Sequence, residues 1–403
     1  MSAPEPDAND SAHGARGAHG AEQGVASLGA LRALGPIDCD LHPPTPVMAE
    51  LLPYLDDHWR EVMVSRGIDG LGLSSYPPGA PLSARPEWRG TDGRPGGDLD
   101  LLRRAALAPW NTRLAICHCL HGAAAMFSED MGAALARAVN DWVAAVWLDR
   151  EPRLRASILV CPRSPELAVA EIERRAADPR FVAVLLLAGS EAPLGRRGHW
   201  PIYAAAARLG LPIGIHAGSA CHQPITSVGW PSYLVEDYVD QATIFQHQLL
   251  SLIGEGVFTK FPDLRIVLIE SGFTWLPAFT WRASKEWRAL RSEVPWVDRS
   301  PAEIVREHVR VTLQPTDAPP APGDLARVMD QLGAERLLLF STDFPHWQWD
   351  GEAVLPAGVT WGLPQQLLAR IAVENPLETF PRLKHPIGAA MPAAGAQIEE
   401  ARG

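Results

Sequence analysis

Eight short apolar runs divide the chain: GPIDCDLH, RLAICHC, RLRASILV, FVAVLLLAG, LPIGIHAG, LRIVLIESG, HVRVTLQP and RLLLFSTD. Each has the length of a strand. Runs such as VAVLLLA and RLLLF are apolar at successive positions, the mark of strands covered on both faces, whereas a half-exposed antiparallel sheet would alternate. Between most of them stand segments of helical spacing, over Asp141–Leu148, Pro165–Ala176, Pro201–Leu209, Glu236–Phe258 and Gly323–Leu332. Strands alternating with helices specify a parallel sheet, and eight such units predict a closed (β/α)8 TIM barrel.

In the long fourth helix, apolar residues at 235, 239, 242, 245, 249, 252 and 253 follow the i, i+3, i+4 pattern and predict a buried stripe, with His247 off it. Two stretches break the repeat: Pro44–Gly97, rich in Pro, Gly and aromatic residues, and Ala217–Val235 with its GWPSY. Irregular segments of this length in a compact domain serve as lids or binding loops, so both are expected to form a lid over the C-terminal mouth of the barrel. The chain then reads as a disordered leader over 1–28, one barrel domain over 29–387 and a flexible tail over 388–403. His13 and His19 fall in the leader and are discounted as ligands.

Composition narrows the function classes. With 403 residues, 47% of them hydrophobic and 21% charged, the chain can bury a large core. A net charge of -11 and scattered arginines argue against a nucleic-acid or anionic-membrane surface. No apolar run reaches the roughly 18 residues of a membrane span. Five cysteines with no CxxC pair point to reduced thiols and a cytoplasmic location. Cys117 and Cys119 flank His118, but after RLAI they read as strand-packing residues rather than ligands.

The chemistry stands at the ends of the strands, which in an α/β barrel converge on one mouth. They supply Asp38, Asp40 and His42 from the first, His216 from the fifth, Glu270 from the sixth and Asp343 from the eighth. Asp40 and His42, two apart, face the same way and can clasp one ion; Asp38 shares that side only if the strand stays regular. Several carboxylates buried together repel one another, at a cost on the order of several kcal/mol each unless they are paired. A divalent cation relieves that repulsion, and mixed imidazole and carboxylate donors suit zinc, manganese or iron better than magnesium or calcium. Taken singly, each residue is as well explained as a cap or turn former: Asp343 before Phe-Pro can open a turn, and Glu270 can cap the helix that follows. Four strand ends together point to a metal site.

The stretches IDCDLHP, GLPIGIHAG, FPDLRIVLIESGFTWLP and LLLFSTDFPHW resemble, in order and spacing from about Pro36 to Leu383, the motifs of the amidohydrolase-related family. This is the branch of the amidohydrolase superfamily that includes aminocarboxymuconate semialdehyde decarboxylase, and the closing RIAVENPLETF is similar to its last helix. The resemblance implies a TIM-barrel metalloenzyme holding one divalent ion, usually zinc or manganese, on Asp40, His42, His216 and Asp343; with the donor chemistry, zinc is the first expectation and manganese or iron the next. Two positions depart from the common pattern. Asp40 stands where the first-strand HxH pair has its first histidine, which lowers the site's positive charge and Lewis acidity. Glu270 stands where a catalytic histidine is usual, so a reaction tuned to an imidazolium does not carry over.

The named member of that branch is a decarboxylase. The first expectation is therefore a non-oxidative decarboxylase (a carboxy-lyase) acting on a small aromatic or unsaturated carboxylic acid. Asp343 and Glu270 would manage protons, and His346 would bond the aspartate or the substrate. The alternative is a metal-dependent hydrolase of an amide, ester or activated carbon–carbon bond, with Asp343 taking the proton of the attacking water. A non-catalytic metal-binding barrel is the third reading. Gln314, at the end of the seventh strand, and Trp230, Tyr233 and Trp275 are the expected substrate wall. The expected partner is a small molecule, with no nucleic acid and no membrane, and a homodimer is the assembly the resemblance allows.

Overall fold

The computed structural model describes residues 29–69, 84–219, 228–229, 231–319, 321–346 and 363–384. The leader, the tail and Trp230 lie outside them. Eight strands, β1 (Ile37–Leu41), β2 (Leu114–Cys117), β3 (Leu154–Leu159), β4 (Phe181–Gly189), β5 (Ile213–Ser219), β6 (Ile266–Ile269), β7 (Val309–Thr312) and β8 (Leu338–Leu339), pair in parallel in sequence order. The β8 ladder is two residues long, and the chain beyond it closes the ring onto β1. Phe340 O accepts from Cys39 N at 2.9 Å, Asp40 O from Asp343 N at 3.0 Å and Phe344 O from His42 N at 2.7 Å. The predicted TIM barrel is the observed fold.

The helices carry their own start signals. Ser128 caps α2 (Glu129–Val143) by accepting from Met131 N, with Glu129 and Asp130 in the first turn, where the helix dipole favours acids. The helix predicted over 141–148 is thus the end of a longer one, continued by a wider turn over Ala144–Leu148. Pro165 opens α3 (Pro165–Ala176) at the predicted boundaries, and α4 (Trp200–Arg208) and α5 (Leu234–Gly254) follow. The helix α6 (Leu276–Leu290) follows β6, and a Ser300–Glu303 capping box starts α7 (Pro301–His308). Gly333, at φ 74°, ends α8 (Pro322–Leu332). The stripe on α5 is buried over its second half only: Phe245, Leu249, Leu252 and Ile253 are inside, whereas Val235 and Val239 are exposed. His247 is exposed, as its place off the stripe predicts.

A large apolar cluster lies between sheet and helices, and each Leu, Ile or Phe fully buried there contributes about 1.5–3 kcal/mol. A smaller one, the barrel's inner layer, draws on Ile37, Cys39, Ile116, Val182, Val267, Ile269 and Leu339 and is closed by Phe380 and Leu383. Cys117 and Cys119 are buried, and Cys117 packs in the large cluster. Among the described residues no helix is long and apolar enough to cross a membrane. The described part of the first insertion includes α1 (Asp57–Arg66) and residues 84–97, which pack at the mouth: Ala84 bridges His346 and Trp88 lies 5.5 Å from Phe344 between ring centres. The rest of that insertion, 70–83, and residues 220–227 of the second are outside the described residues.

Candidate metal site at the mouth of the barrel

Between Asp38 and Leu41 the pairing of β1 with β2 loses its regular register. Asp40 and His42 meet at the mouth, with His42 Nε2 3.1 Å from Asp40 Oδ1, while Asp38 turns to the β8 side of the seam. His216, opposite Ile269 in the β5–β6 ladder, places Nε2 3.5 Å from Asp40 Oδ1 and 3.7 Å from Glu270 Oε2. Asp343 Oδ1 stands 3.2 Å from His42 Nε2 and 2.7 Å from His346 Nδ1, and His346 Nδ1 is 3.8 Å from Glu270 Oε2. The His42 and His346 rings stack with centres 4.3 Å apart.

Two acids reach the mouth from unusual backbone. Glu270 has φ 58° and Asp343 φ 55°, in the left-handed region that side chains other than glycine rarely adopt. Both are pinned: Thr312 Oγ1 accepts from Glu270 N at 2.9 Å, and Asp343 N donates to Asp40 O while its own carbonyl accepts from His346 N at 2.8 Å. Backbone held in this way, where the surroundings over-determine it, is typical of functional sites.

Asp40, His216 and Asp343 are fully buried, and His42 and His346 nearly so. Without a cation the cluster carries protons of its own. Burial alone would raise the Asp40 carboxyl, but His42 and His216 outweigh it and hold the carboxyl well below its ordinary value. Burial likewise opposes charge on His42, yet Asp40 and Asp343 raise the imidazole well above its usual range. Burial, then the charge of Asp343, pushes Glu270 up to about 7.

Both oxygens of Asp40 and Asp343, Nε2 of His42 and His216, and both ring nitrogens of His346 are buried without a hydrogen-bond partner. Orphaned polar atoms are costly, and here they point at one another. Two donors each about 2.1 Å from one ion lie about 3.0–3.4 Å apart at octahedral or tetrahedral angles, close to the 3.1, 3.2 and 3.5 Å separations among Asp40, His42, Asp343 and His216. The other nitrogens of the two histidines are engaged: His42 Nδ1 faces His118 O at 2.9 Å and His216 Nδ1 faces Ala217 O at 2.7 Å. Such bonds select the tautomer that leaves Nε2 free for a cation. Two overlapping sets have metal-ligand spacing, Asp40, His42 and His216, and His42, Glu270, Asp343 and His346.

The structure thus brings together six of the seven residues expected from the strand ends and from His346, with Asp38 turned instead to the seam. Of the expected wall, Trp230 lies outside the described residues. The Gln314 side-chain oxygen accepts from Thr316 N at 3.1 Å, shaping the loop after β7. The Trp275 indole donates to Ser271 O and Gly272 O and braces the turn after Glu270. Tyr233 is 71% exposed. Sequence reasoning missed the supports: His118, fixed by Ser157 Oγ and Cys39 O and itself carrying His42, and the hydroxyls of Thr312 and Thr342. Threonine directly before Asp343 was the one visible signal.

No curated protein matches the chain. Solved structures do match over most of their length. The 5-carboxyvanillate decarboxylase of Sphingomonas paucimobilis is 20% identical, with 86% of this chain and 99% of that one covered at a TM-score of 0.62. An amidohydrolase of Mycobacterium avium subsp. paratuberculosis K-10 is 21% identical, covering 86% and 98% at 0.64. A dihydroxybenzoic acid decarboxylase of Polaromonas sp. JS666, solved with manganese and 2-nitroresorcinol, is 20% identical, covering 87% and 98% at 0.59. These likenesses are of fold. The amidohydrolase family model matches residues 37–382, from the first strand of the barrel to the arginine that seals its base, and the protein belongs to that family.

Proposed function

We propose that the protein is a metal-dependent, non-oxidative decarboxylase of a small aromatic or unsaturated carboxylic acid. The observation that carries the reading is the convergence of buried, unpartnered donor atoms of Asp40, His42, His216 and Asp343 at the separations of ligands to one ion. The donor set suits zinc, manganese or iron. Zinc is the first expectation from sequence, and manganese is the ion held by the Polaromonas neighbour. Two of the similar folds belong to decarboxylases of substituted aromatic acids, which supports that substrate class.

Bound there, a divalent cation supplies Lewis acidity toward a substrate oxygen. The chain's own residues do the rest. Glu270 is the least buried of the six, its side chain 11% exposed, and so meets an incoming substrate. As the carbon–carboxylate bond breaks and its electron pair stays on carbon, Glu270 delivers a proton to that carbon and carbon dioxide leaves. His346, against both Glu270 and Asp343, relays the replacement proton. Residues 84–97 cover one side of the mouth and limit water there. The cytoplasm fits the four described cysteines, all free thiols, and a homodimer is the assembly to look for by sedimentation. The description of the family as amidohydrolases favours the second reading, hydrolysis with Asp343 as base.

The test is metal content by elemental analysis of wild type and His216→Ala, with circular dichroism for the fold, followed by product analysis on aromatic acids. About one equivalent of metal in the wild type, lost in the variant, and carbon dioxide release support the proposal. A new acid plus a leaving group, without carbon dioxide, favours hydrolysis. No metal after reconstitution with zinc, manganese or iron sinks both.

A further inference from the structure

We infer that Asp38 is a positioning residue: with Thr342 it forms a buried clasp across the β1–β8 seam that sets the separation of Asp40 and Asp343 around the ion. The inference rests on the reading of those two acids as ligands of one cation.

Asp38 is fully buried and faces away from the donor cluster. Its Oδ1 accepts from Thr342 N at 3.0 Å and from Asp40 N at 3.2 Å, and its Oδ2 accepts from the Thr342 hydroxyl. That hydroxyl in turn accepts from Phe344 N at 3.4 Å. One carboxyl group thus holds the backbone of one ligand, Asp40, and of the residue preceding the other, Asp343.

Three features make this seam depend on a side chain. The β7–β8 ladder ends at Leu339, four residues before Asp343, so beyond it the aspartate is tied to β1 by isolated contacts, its amide to Asp40 O and the Leu41–Phe344 bridge, rather than by a continuous ladder. The β1 register shifts between Asp38 and Leu41, where the first two ligands must be placed. Asp343 itself sits at φ 55°, a conformation that persists only when its neighbours are tied down. Two amides and a hydroxyl converge on Asp38, and a side chain with two acceptor oxygens satisfies all three. Asparagine can keep the geometry, its oxygen taking the amides and its NH2 donating to the threonine oxygen; alanine cannot.

The experiment measures the dissociation constant for Mn2+ by chelator competition, together with the Mn2+ electron paramagnetic resonance spectrum, on folded wild-type protein and five variants. Asp38→Ala and Thr342→Val are expected to weaken Mn2+ binding by about 10–100-fold, the range for residues that orient metal ligands, and to change the spectrum. Asp38→Asn and Thr342→Ser should stay within about threefold of wild type, on the same scale. Asn375→Ala is the control: it removes the bond from Asn375 Nδ2 to Leu338 O on β8 and should lower the melting temperature with affinity and spectrum unchanged. If Asp38→Ala fails to fold, Thr342→Val carries the test. Clasp variants that behave like Asn375→Ala overturn the inference while leaving the metal site standing. A wild type that binds no Mn2+, zinc or iron overturns both.

Discussion

The two ends of the barrel treat buried charge in opposite ways. At the base, before β3, the Glu151 carboxylate receives Arg103 at 2.8 Å and Arg153 at 2.8 and 3.1 Å. Before β4, Asp178 is paired with Arg180 and Arg175. Arg382 is almost fully buried and donates to the carbonyls of Ala176, Phe181 and Leu209. At the mouth, Asp40 and Asp343 pair with no Lys or Arg among the described residues, only with histidines. The base neutralises its own charge, which makes it a structural device. The mouth leaves neutralisation to protons or to a cation, which makes it a functional one.

Removing a charge at each end should therefore have opposite consequences, and the largest belongs to the mouth. Asp343→Asn is expected to lower turnover by about 10²–10⁴-fold, the scale of a lost proton-transfer group, compounded by weaker metal binding. In metal-free protein the same variant should change the melting temperature little, because relief of the repulsion on Glu270 offsets the loss of a charged partner for His42. Parallel kinetics and thermal melts check both statements; a strong loss of stability without metal would erase the contrast between the ends. Glu270→Gln should follow, with turnover down about 10²-fold and metal content unchanged, since it separates proton delivery from ion binding. Loss of the ion in that variant would move Glu270 from proton carrier to ligand.

The mouth's half of this contrast is legible in the sequence. The strands were readable because both faces of the sheet are covered, so runs such as VAVLLLA and RLLLF are apolar at successive positions, and four of the eight runs finish at Asp40, His216, Glu270 and Asp343. Convergence of those ends follows from barrel geometry, and the structure gathers all of them. The supports were not legible, because they depend on local breaks in regularity. A register shift sends Asp38 to Thr342, and left-handed backbone at Glu270 and Asp343 requires particular hydroxyls nearby. Gln314, expected at the mouth from its place at the end of a strand, and Trp275, expected there as an aromatic, each make hydrogen bonds within their own loops that the sequence does not reveal. The α5 stripe overran for a related reason. A helix of 21 residues is roughly 30 Å long, so periodicity continues along it beyond the sheet it packs on.

The smallest effect is expected at the base, and its sign is fixed by linkage. Hydrogen bonds from Arg153, then from Arg103, hold the Glu151 carboxyl at about 2, against an ordinary value of 4.5. A carboxyl depressed on folding contributes stability that is fully present above its unfolded value and is lost as pH falls through the folded one. Glu151→Gln should thus lower the melting temperature at neutral pH by about 2–4 °C. The gap from wild type should stay constant down to about pH 4.5 and close as pH approaches about 2. Metal content and turnover should not move, because the pair stands at the opposite end from Asp40 and Asp343. Melts of metal-free wild type and variant across that range decide the matter. A gap that persists at the acid end would mean that the arginines support Glu151 by shape rather than charge, and that the base is less of an electrostatic device than its ion pairs suggest.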